Sequence, residues 1–537
     1  MDGVGAPVDV IVIGFGAAGA CAAIEAADAG ASVLVLDRFA GGGASALSGG
    51  VVYAGGGTEQ QRVAGVDDSV DAMYDYLRIE VGEAVSDETL RRFCAGSADM
   101  ISWLEGNGVP FDGSLCPYKT SYPNDDYYLY YSGSETAGGF RDIAKPAARG
   151  HRVKGPGTSG KLLFARLSEA ARRRGVRVLP GTRATELIID SAGAVTGVRV
   201  RTLRDAPARV RRMHRVLGHY SAKPGIYVPA LRKALYRRAE RLERRYAREE
   251  ELSARHGVVI SAGGFIANRA MVREHAPAYR GGLALGTSAD DGSGIRLGSG
   301  AGGATAFLDR VTAWRFVTPP SVFVRGLIVD AEGARVIDES RYGAAVGEVL
   351  VLRHQAKGWL LVDDEIAATA KRSVRKEAQW FQWLQALYML RRGRVTGSSL
   401  AEVAKRVGID PDGLEATVEA YNSAAASGAA DPAGKPSEYV QPLRTPPFSL
   451  LDISIKPSLS FPCPMLTLGG LVVDEVSGQV RAESGAPIPG LYAAGRSAVG
   501  ICSRSYVSGL SLADCVFSGR RAGAAVVHRD DKNENVF

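Results

Sequence analysis

Residues 14–19 read Gly14-Phe15-Gly16-Ala17-Ala18-Gly19, a spacing that lets a backbone hold a nucleotide diphosphate. A glycine at 14 allows a tight turn, one at 16 lets the chain approach a pyrophosphate, and one at 19 lets a helix pack closely on a strand. Asp37, eighteen residues past Gly19, stands where a carboxylate accepts hydrogen bonds from an adenosine ribose. A second Gly/Ser-rich stretch, AGGGASALSGGVVYAGGG, follows at 40–57. It carries apolar Leu47, Val51 and Val52, which a flexible surface linker would not need. Close backbone approach required twice suits a long cofactor whose diphosphate and ring system both cross a sheet. FAD is therefore favoured over NAD.

The elements that must position these loops follow from the flanking pattern. Val8–Ile13 and Ser32–Leu36 are β-branched or apolar runs, as in strands buried on both faces, and the Ala-rich segment 20–29 between them reads as a helix. A helix over 161–174, a strand over 176–179 and a hairpin of 184–190 with 195–200 come next. Another buried strand, 256–264, ends in Gly263-Gly264, and Asp290-Asp291-Gly292 precedes a short helix. Segment 300–450 changes character, with a Trp-containing helix at 376–391 and another at 399–407. Gly-rich strands return over 466–524 and run into a final helix.

A length of 537 residues predicts two or three units with a sizeable core, and 46% hydrophobic residues exclude a disordered chain. The net charge of +7 is uneven. Residues 201–256 hold 16 Lys and Arg against 6 Asp and Glu, while the rest of the chain has 49 against 52. A basic block on a slightly acidic protein does not point to nucleic acid. Six scattered cysteines with no CxxC pair leave metal and disulfide frameworks unsupported. The beginning of the chain has no basic, apolar leader pattern, and no apolar run is long enough to span a bilayer, so the cytoplasm is the expected compartment.

Tyr118, Tyr122, Tyr127, Tyr128, Tyr130 and Tyr131 crowd into fourteen residues. Such rings with polar tips suit a ring-fused ligand, or a surface loop packed on itself. His151, in a Gly/Pro loop, and the thiols Cys502 and Cys515 read as structural.

These motifs resemble the fumarate reductase/succinate dehydrogenase flavoprotein superfamily. GFGAAG…LDR, SALSGGVVYAGGG, GTSGKLL and GLYAAGR…GLSLADC carry the likeness, which spans nearly the whole chain apart from 201–256. The resemblance implies an α/β fold: a Rossmann-like, glutathione-reductase-like FAD-binding domain of 1–300 and 456–537, interrupted by an α+β capping and catalytic domain at 301–455. Segment 201–256 is then a basic helical insertion. FAD is expected to be non-covalent, because the first histidine is His151, far from the second glycine loop. Implied cofactor contacts are Gly14, Gly16, Ala18, Gly19, Asp37 and Arg38 in the first motif, and Ser45, Ala46, Ser48, Gly49 and Gly50 in the second. Ala184, Ala262, Gly263 and Asp291 join them, with Gly495, Ser511 and Leu512 close to the flavin. The last helix would aim its positive end at the electron-rich end of the ring.

Dicarboxylate members of that superfamily usually place a histidine four residues before the Gly-Gly that matches Gly469-Gly470. Here Met465 stands there, in apolar FPCPMLTLGG, so a fumarate-type site is disfavoured and Met465 is expected to line the substrate. Tyr506-Val507-Ser508 in GICSRSYVSGLSL resembles the flavin-dependent 3-ketosteroid dehydrogenases, above all those acting between carbons 4 and 5 of 5α-steroids. Tyr342 in GARVIDESRYG matches their cap-domain tyrosine. The implied roles give Tyr506, with a backbone N–H, polarisation of the ketone, and Ser508, relayed through Tyr342, removal of the proton. Hydride goes to the flavin, and Tyr118 and Tyr122 line the substrate. Tyr506 and Ser508 are also residues that could simply cap a helix entry. Two alternatives stand: a dehydrogenase acting at carbons 1 and 2, and a flavoprotein subunit of an electron-transfer assembly. The expected partners are a steroid and an electron acceptor that the sequence does not identify.

In the basic block, Val228, Leu231, Leu235, Ala239, Leu242 and Tyr246 fall on one helix face, with arginines around it from Arg232 to Arg248. A basic amphipathic helix over 228–250 suits an anionic membrane surface on the inner face, or packing on its own protein or a second subunit.

Overall fold

The computed structural model describes residues 7–458 and 460–528. Its first strand, β1 (Val8–Ile13), leads through the glycine turn into α1 (Ala17–Asp28) and then β2 (Val33–Asp37), which runs parallel to β1 with Val10 opposite Val33. Helix α2 (Gly160–Arg173) precedes β3 (Arg177–Pro180), β4 (Thr182–Ile189) and β5 (Val195–Thr202). Two further helices, α3 (Ala208–Ala222) and α4 (Pro229–Tyr246), come before the long β6 (Arg248–Ile260). The chain returns with β7 (Pro487–Ala493) and α5 (Leu510–Val527).

A parallel sheet in the order β7-β6-β1-β2-β3 forms the centre. Strand β6 serves two partners along its length. Its first half pairs antiparallel with β5, and its second half lies between β1 and β7, with Val258 opposite both Ile11 and Leu491. Val10, Ile11, Val12, Val258, Val259 and Ile260 are fully buried, as expected of strands covered on both faces. On one face α1 lies against α5, and both helices meet through small residues: a Cβ at Gly519 would sit 2.5 Å from the Ala18 carbonyl oxygen. The alanine-rich helix therefore binds the two ends of the chain together.

Between the two nucleotide-fold segments stands a second unit with its own core. Leu327–Val329, Trp359–Val362, Phe448–Asp452 and Arg394–Gly397 form an antiparallel sheet in that order, inside the 301–455 expected for a capping domain. The helix expected at 376–391 is in fact two. One helix, Asp364–Glu377, ends and another, Trp380–Arg391, begins, because Gln379 adopts an extended backbone and shares a reciprocal capping box with Gln382.

The basic block also differs from one helix. It is the α3–α4 hairpin, set between the neighbouring antiparallel strands β5 and β6. Arg248 starts β6 instead of continuing the helix, since the acids beside it pair across the strands: Glu249 with Arg201, Glu250 with Arg204 and Glu251 with Arg199. Of the expected apolar stripe, Ala239 is buried and Leu242 and Tyr246 pack on Leu203, Ala206 and Val210. Val228 and Leu231 are exposed.

Candidate active site

A cleft runs along the C-terminal ends of the parallel strands, where open α/β sheets hold ligands. One end is built by the first motif. Gly14 has φ +101°, and a Cβ there would come within 2.6 Å of the Ser261 carbonyl oxygen. At Gly19 a Cβ would collide with Gly14 O, so only glycine lets α1 start this close to β1. The Phe15 N–H donates to Asp37 Oδ2 at 3.0 Å, while Phe39 and Gly41 N–H donate to Asp37 Oδ1 at 2.8 and 3.1 Å. Asp37 thus fixes both edges of the turn while lining the cleft. Ala17 N–H donates to Ser45 Oγ at 3.1 Å, which draws the second glycine loop onto the start of α1. Gly16, the cap position, has no side chain to bond the first turn, so beyond Ala17 the N–H groups at the start of α1 suit a diphosphate.

The other end is formed by Leu466, Gly495, Ser511 and Leu512, with Trp314 and Tyr506. Here the first turn of α5 meets the cleft. Two buried donors at this end have no protein partner, Trp314 Nε1 and Arg496 Nη1. A ring system with several acceptors fits such a place. The glycine cradle, the helix start and these donors together fit FAD.

Tyr506 and Ser508 stand just before α5. The Tyr506 ring stacks on Trp314, centroids 5.2 Å apart and planes 19° apart, and Tyr342 reaches in from the second unit to 6.3 Å from the Tyr506 ring. Tyr342 also packs against Phe316, and its N–H donates to Ser134 Oγ at 3.1 Å. The backbone of Ser508 is held on both sides by Ser132, through its carbonyl and its hydroxyl. Ser508 Oγ lies 3.0 Å from the hydroxyl of Tyr130. Burial pushes Tyr130, Tyr342 and Tyr506 upward, and hydrogen bonding to Ser508 only partly offsets this for Tyr130 and Tyr342. All three phenols are accordingly protonated at neutral pH.

Other expected residues fall into place differently. Gly16, Ala18, Ser45, Ser48, Ala262 and Gly263 line the cleft. Gly49 and Gly50 instead support it from behind, and Ala46 packs beside Gly42. Asp291 does not line it; its neighbour Asp290 does, paired with Arg496 at 2.7 Å. The turn into the helix after Gly292 points consecutive side chains in opposite directions. Asp291 faces Arg38, whose guanidinium is drawn away from the cleft by Glu243 (2.9 Å) and the Tyr236 hydroxyl (2.8 Å), both from α4. Arg38 and Ala184 border an adjoining concavity of about 430 Å³ beneath that helix. The cleft and the concavity meet at Asp37–Arg38.

Met465 is also corrected. Its side chain packs against Gly282 in the core of the second unit, and the next residue, Leu466, lines the cleft, as alternation along a strand requires. Tyr118 and Tyr122 belong to a cluster with Cys116, Tyr127 and Tyr130. Tyr118 donates to the Glu377 carbonyl at 3.3 Å, and Tyr122 to the Gly49 carbonyl at 2.8 Å while accepting from Arg152 Nε. These two anchor the loop; Tyr130 is the member that reaches Ser508. Sequence reasoning missed Tyr130, Trp314 and Arg496, although the tyrosine crowding was a signal for the first. His151 is structural: burial lowers it to about 4, and it bridges Thr58 Oγ1 and the Arg149 carbonyl.

A profile described as FAD binding domain matches residues 9–509. The chain belongs to that FAD-binding family. A 3-oxo-5-alpha-steroid 4-dehydrogenase of Comamonas testosteroni is 38% identical over 506 residues, covering 91% of this chain and 92% of that protein. The crystal structure of 3-ketosteroid-delta4-(5alpha)-dehydrogenase from Rhodococcus jostii RHA1, in complex with 4-androstene-3,17-dione, superposes with a TM-score of 0.81 at 33% identity, over 97% of each chain. A 3-oxosteroid 1-dehydrogenase of Mycobacterium tuberculosis is 25% identical, over 93% of this chain and 94% of that protein. The chain is a flavoprotein with the fold of these enzymes, and FAD is its cofactor.

Proposed function

We propose that the chain is an FAD-dependent 3-oxo-5α-steroid 4-dehydrogenase, converting a 3-keto-5α-steroid to its 3-keto-4-ene. The carrying observation is the cluster of Tyr506, Tyr342, Tyr130 and Ser508 hydroxyls at the flavin end of the cleft, in a chain so similar to enzymes of that name. Tyr506, fixed by its stack on Trp314, donates a hydrogen bond to the C3 carbonyl and stabilises negative charge developing there. That makes a C4 hydrogen acidic. Ser508 Oγ receives this proton as its own passes to the Tyr130 or Tyr342 hydroxyl, which in turn gives up its phenolic proton to water, so a net proton leaves and no member of the network stays charged. FAD supplies the two-electron acceptor for the hydride that leaves C5. The apolar walls of Trp314 and Leu466, with Phe316 packed against Trp314 and Tyr342, exclude water and suit a steroid better than a dicarboxylate. Arg496, the cation lining the cleft among the described residues, is already paired with Asp290.

Tyr506→Phe and Ser508→Ala are the test. Each is expected to keep bound FAD and to lose at least about tenfold in turnover with a 5α-3-ketosteroid and a dye acceptor. Near-full activity in both overturns the role assignment. Product identity by mass spectrometry separates oxidation at carbons 4 and 5 from oxidation at carbons 1 and 2.

The adenosine of FAD is assigned to the concavity under α4, beside Arg38 and Ala184. The electrons pass on to an external acceptor. A peripheral position on a membrane through the α3–α4 hairpin is supported by exposed Met213, Val216, Tyr220, Tyr227, Val228 and Leu231. No helix among the described residues is long and apolar enough to cross a membrane.

A further inference from the structure

Helix Trp380–Arg391 turns four large apolar side chains outward: Trp380, Phe381, Leu384 and Tyr388 are 69, 37, 50 and 47% exposed. Residues 380, 384 and 388 form one stripe by their spacing of four, and the rings of Trp380 and Phe381 meet edge-on at 5.9 Å. This is not a loose end of chain. Ala386, Met389 and Leu390 bury the opposite face, Trp383 packs on Val374 and Ala378, and Arg375 lies 5.8 Å over the Trp383 ring. A well-anchored helix thus presents to solvent a face that water does not favour.

Its surroundings say what covers it. Lys371, Arg372, Arg375 and Lys376 are exposed just before the stripe, and Arg391 and Arg392 just after it. Between residues 366 and 397 there are seven Lys and Arg against one acid, Glu377, which is buried. Aromatic and aliphatic side chains bracketed by cations match the two layers of an anionic bilayer surface, acyl boundary and phosphate headgroups. A second copy of the same face would instead bring like charges together.

We propose that the Trp380–Tyr388 face docks this protein on an anionic lipid bilayer. The face is joined to the reacting hydroxyls by the tyrosine loop. Gln379, the cap of the helix, donates to the Pro123 carbonyl at 3.1 Å; Tyr118 donates to Glu377 O; and Tyr130 of the same loop meets Ser508. Docking there brings the loop beside the phase in which an apolar substrate dissolves. That last connection rests on the steroid reading, whereas docking itself does not.

The test is co-sedimentation of the FAD-loaded protein with vesicles of phosphatidylcholine containing roughly one quarter phosphatidylglycerol. The intact protein is expected to bind them at least about tenfold more tightly than pure phosphatidylcholine vesicles, with binding weakened by salt. Trp380→Ala/Phe381→Ala/Leu384→Ala should reduce binding to the anionic vesicles about tenfold while leaving dye-coupled turnover of a detergent-solubilised steroid unchanged. Tyr227→Ser/Val228→Ser/Leu231→Ser measures the share of the α3–α4 hairpin and should retain binding that the helix variant loses. Equal binding by the intact protein and the helix variant overturns the proposal. So does concentration-dependent dimerisation in ultracentrifugation that the helix variant abolishes, because a second copy would then own the face. Vesicle binding without turnover of any 3-ketosteroid would sink the substrate reading and leave docking standing.

Discussion

The Tyr130 hydroxyl lies 3.0 Å from Ser508 Oγ although 378 residues separate them in the chain. One belongs to the tyrosine loop after the second glycine stretch, the other to the approach to α5. Their contact gives the Ser508 proton somewhere to go. Tyr130→Phe keeps the packed ring and removes only the hydroxyl. It should retain FAD, judged by visible absorbance, and lower turnover about five- to tenfold, the effect of losing one buried hydrogen bond. An unchanged rate would leave Tyr342 as the sole relay.

Gly19→Ala tests the first motif. Its new methyl group would strike the Gly14 carbonyl oxygen where α1 meets β1, with the Ser261 hydroxyl 2.6 Å away as well, and the Gly14 backbone has no room to yield. The purified variant is expected to carry less than about one tenth of the normal flavin per chain, or to fail to fold, when absorbance ratios and thermal unfolding are compared. Full flavin content would contradict the close approach.

The Trp314–Tyr506 stack should be energetically coupled. Trp314→Leu alone is expected to cost several-fold in turnover by releasing the Tyr506 ring. Combined with Tyr506→Phe it should cost less than the product of the two single effects, with a coupling of about 1 kcal/mol. Strict multiplicativity in the double-mutant cycle would mean that Trp314 does not orient the hydroxyl.

Glu243 makes acid pH informative. Burial raises its carboxyl, but hydrogen bonds from His214 and Arg38 outweigh that and hold it at about 2. A lowered folded value contributes stability that is complete above the unfolded value of 4.5 and is lost as pH falls through 2. Glu243→Gln should therefore destabilise the protein by about 3 kcal/mol at neutral pH, leaving Arg38 without its main charge partner. The gap in melting temperature between variant and parent should narrow as the buffer is taken from about pH 6 toward about pH 3. A gap independent of pH would assign the loss to packing alone.

The β1–α1–β2 turn was legible in the sequence because local rules determine it: buried strands and a glycine that needs positive φ; that Asp37, read as a ribose acceptor, also ties the loop was not. Tyr506 and Ser508 were named through family likeness; in the structure Tyr506 lines the cleft and Ser508 meets Tyr130. What was not legible depends on distance or on a single bond rotation. Asp290 and Asp291 are indistinguishable as letters, yet the turn at Gly292 sends one to Arg496 and the other to Arg38. Met465 and Leu466 exchange roles because a strand alternates its faces. Arg38 borders the concavity assigned to the adenosine, but its partner Glu243 is 205 residues away in an insertion whose packing no local pattern announces.

The α1–α5 contact has a consequence for how the protein is made. The nucleotide cradle begins at Gly14 but is completed by Gly495, Ser511 and Leu512, and β7 joins the sheet through β6. A growing chain therefore carries half a cradle until residues 495–512 have been made. Capture of the cofactor waits on that segment, and a chain stopped before β7 leaves the second half of β6 with an unpaired edge.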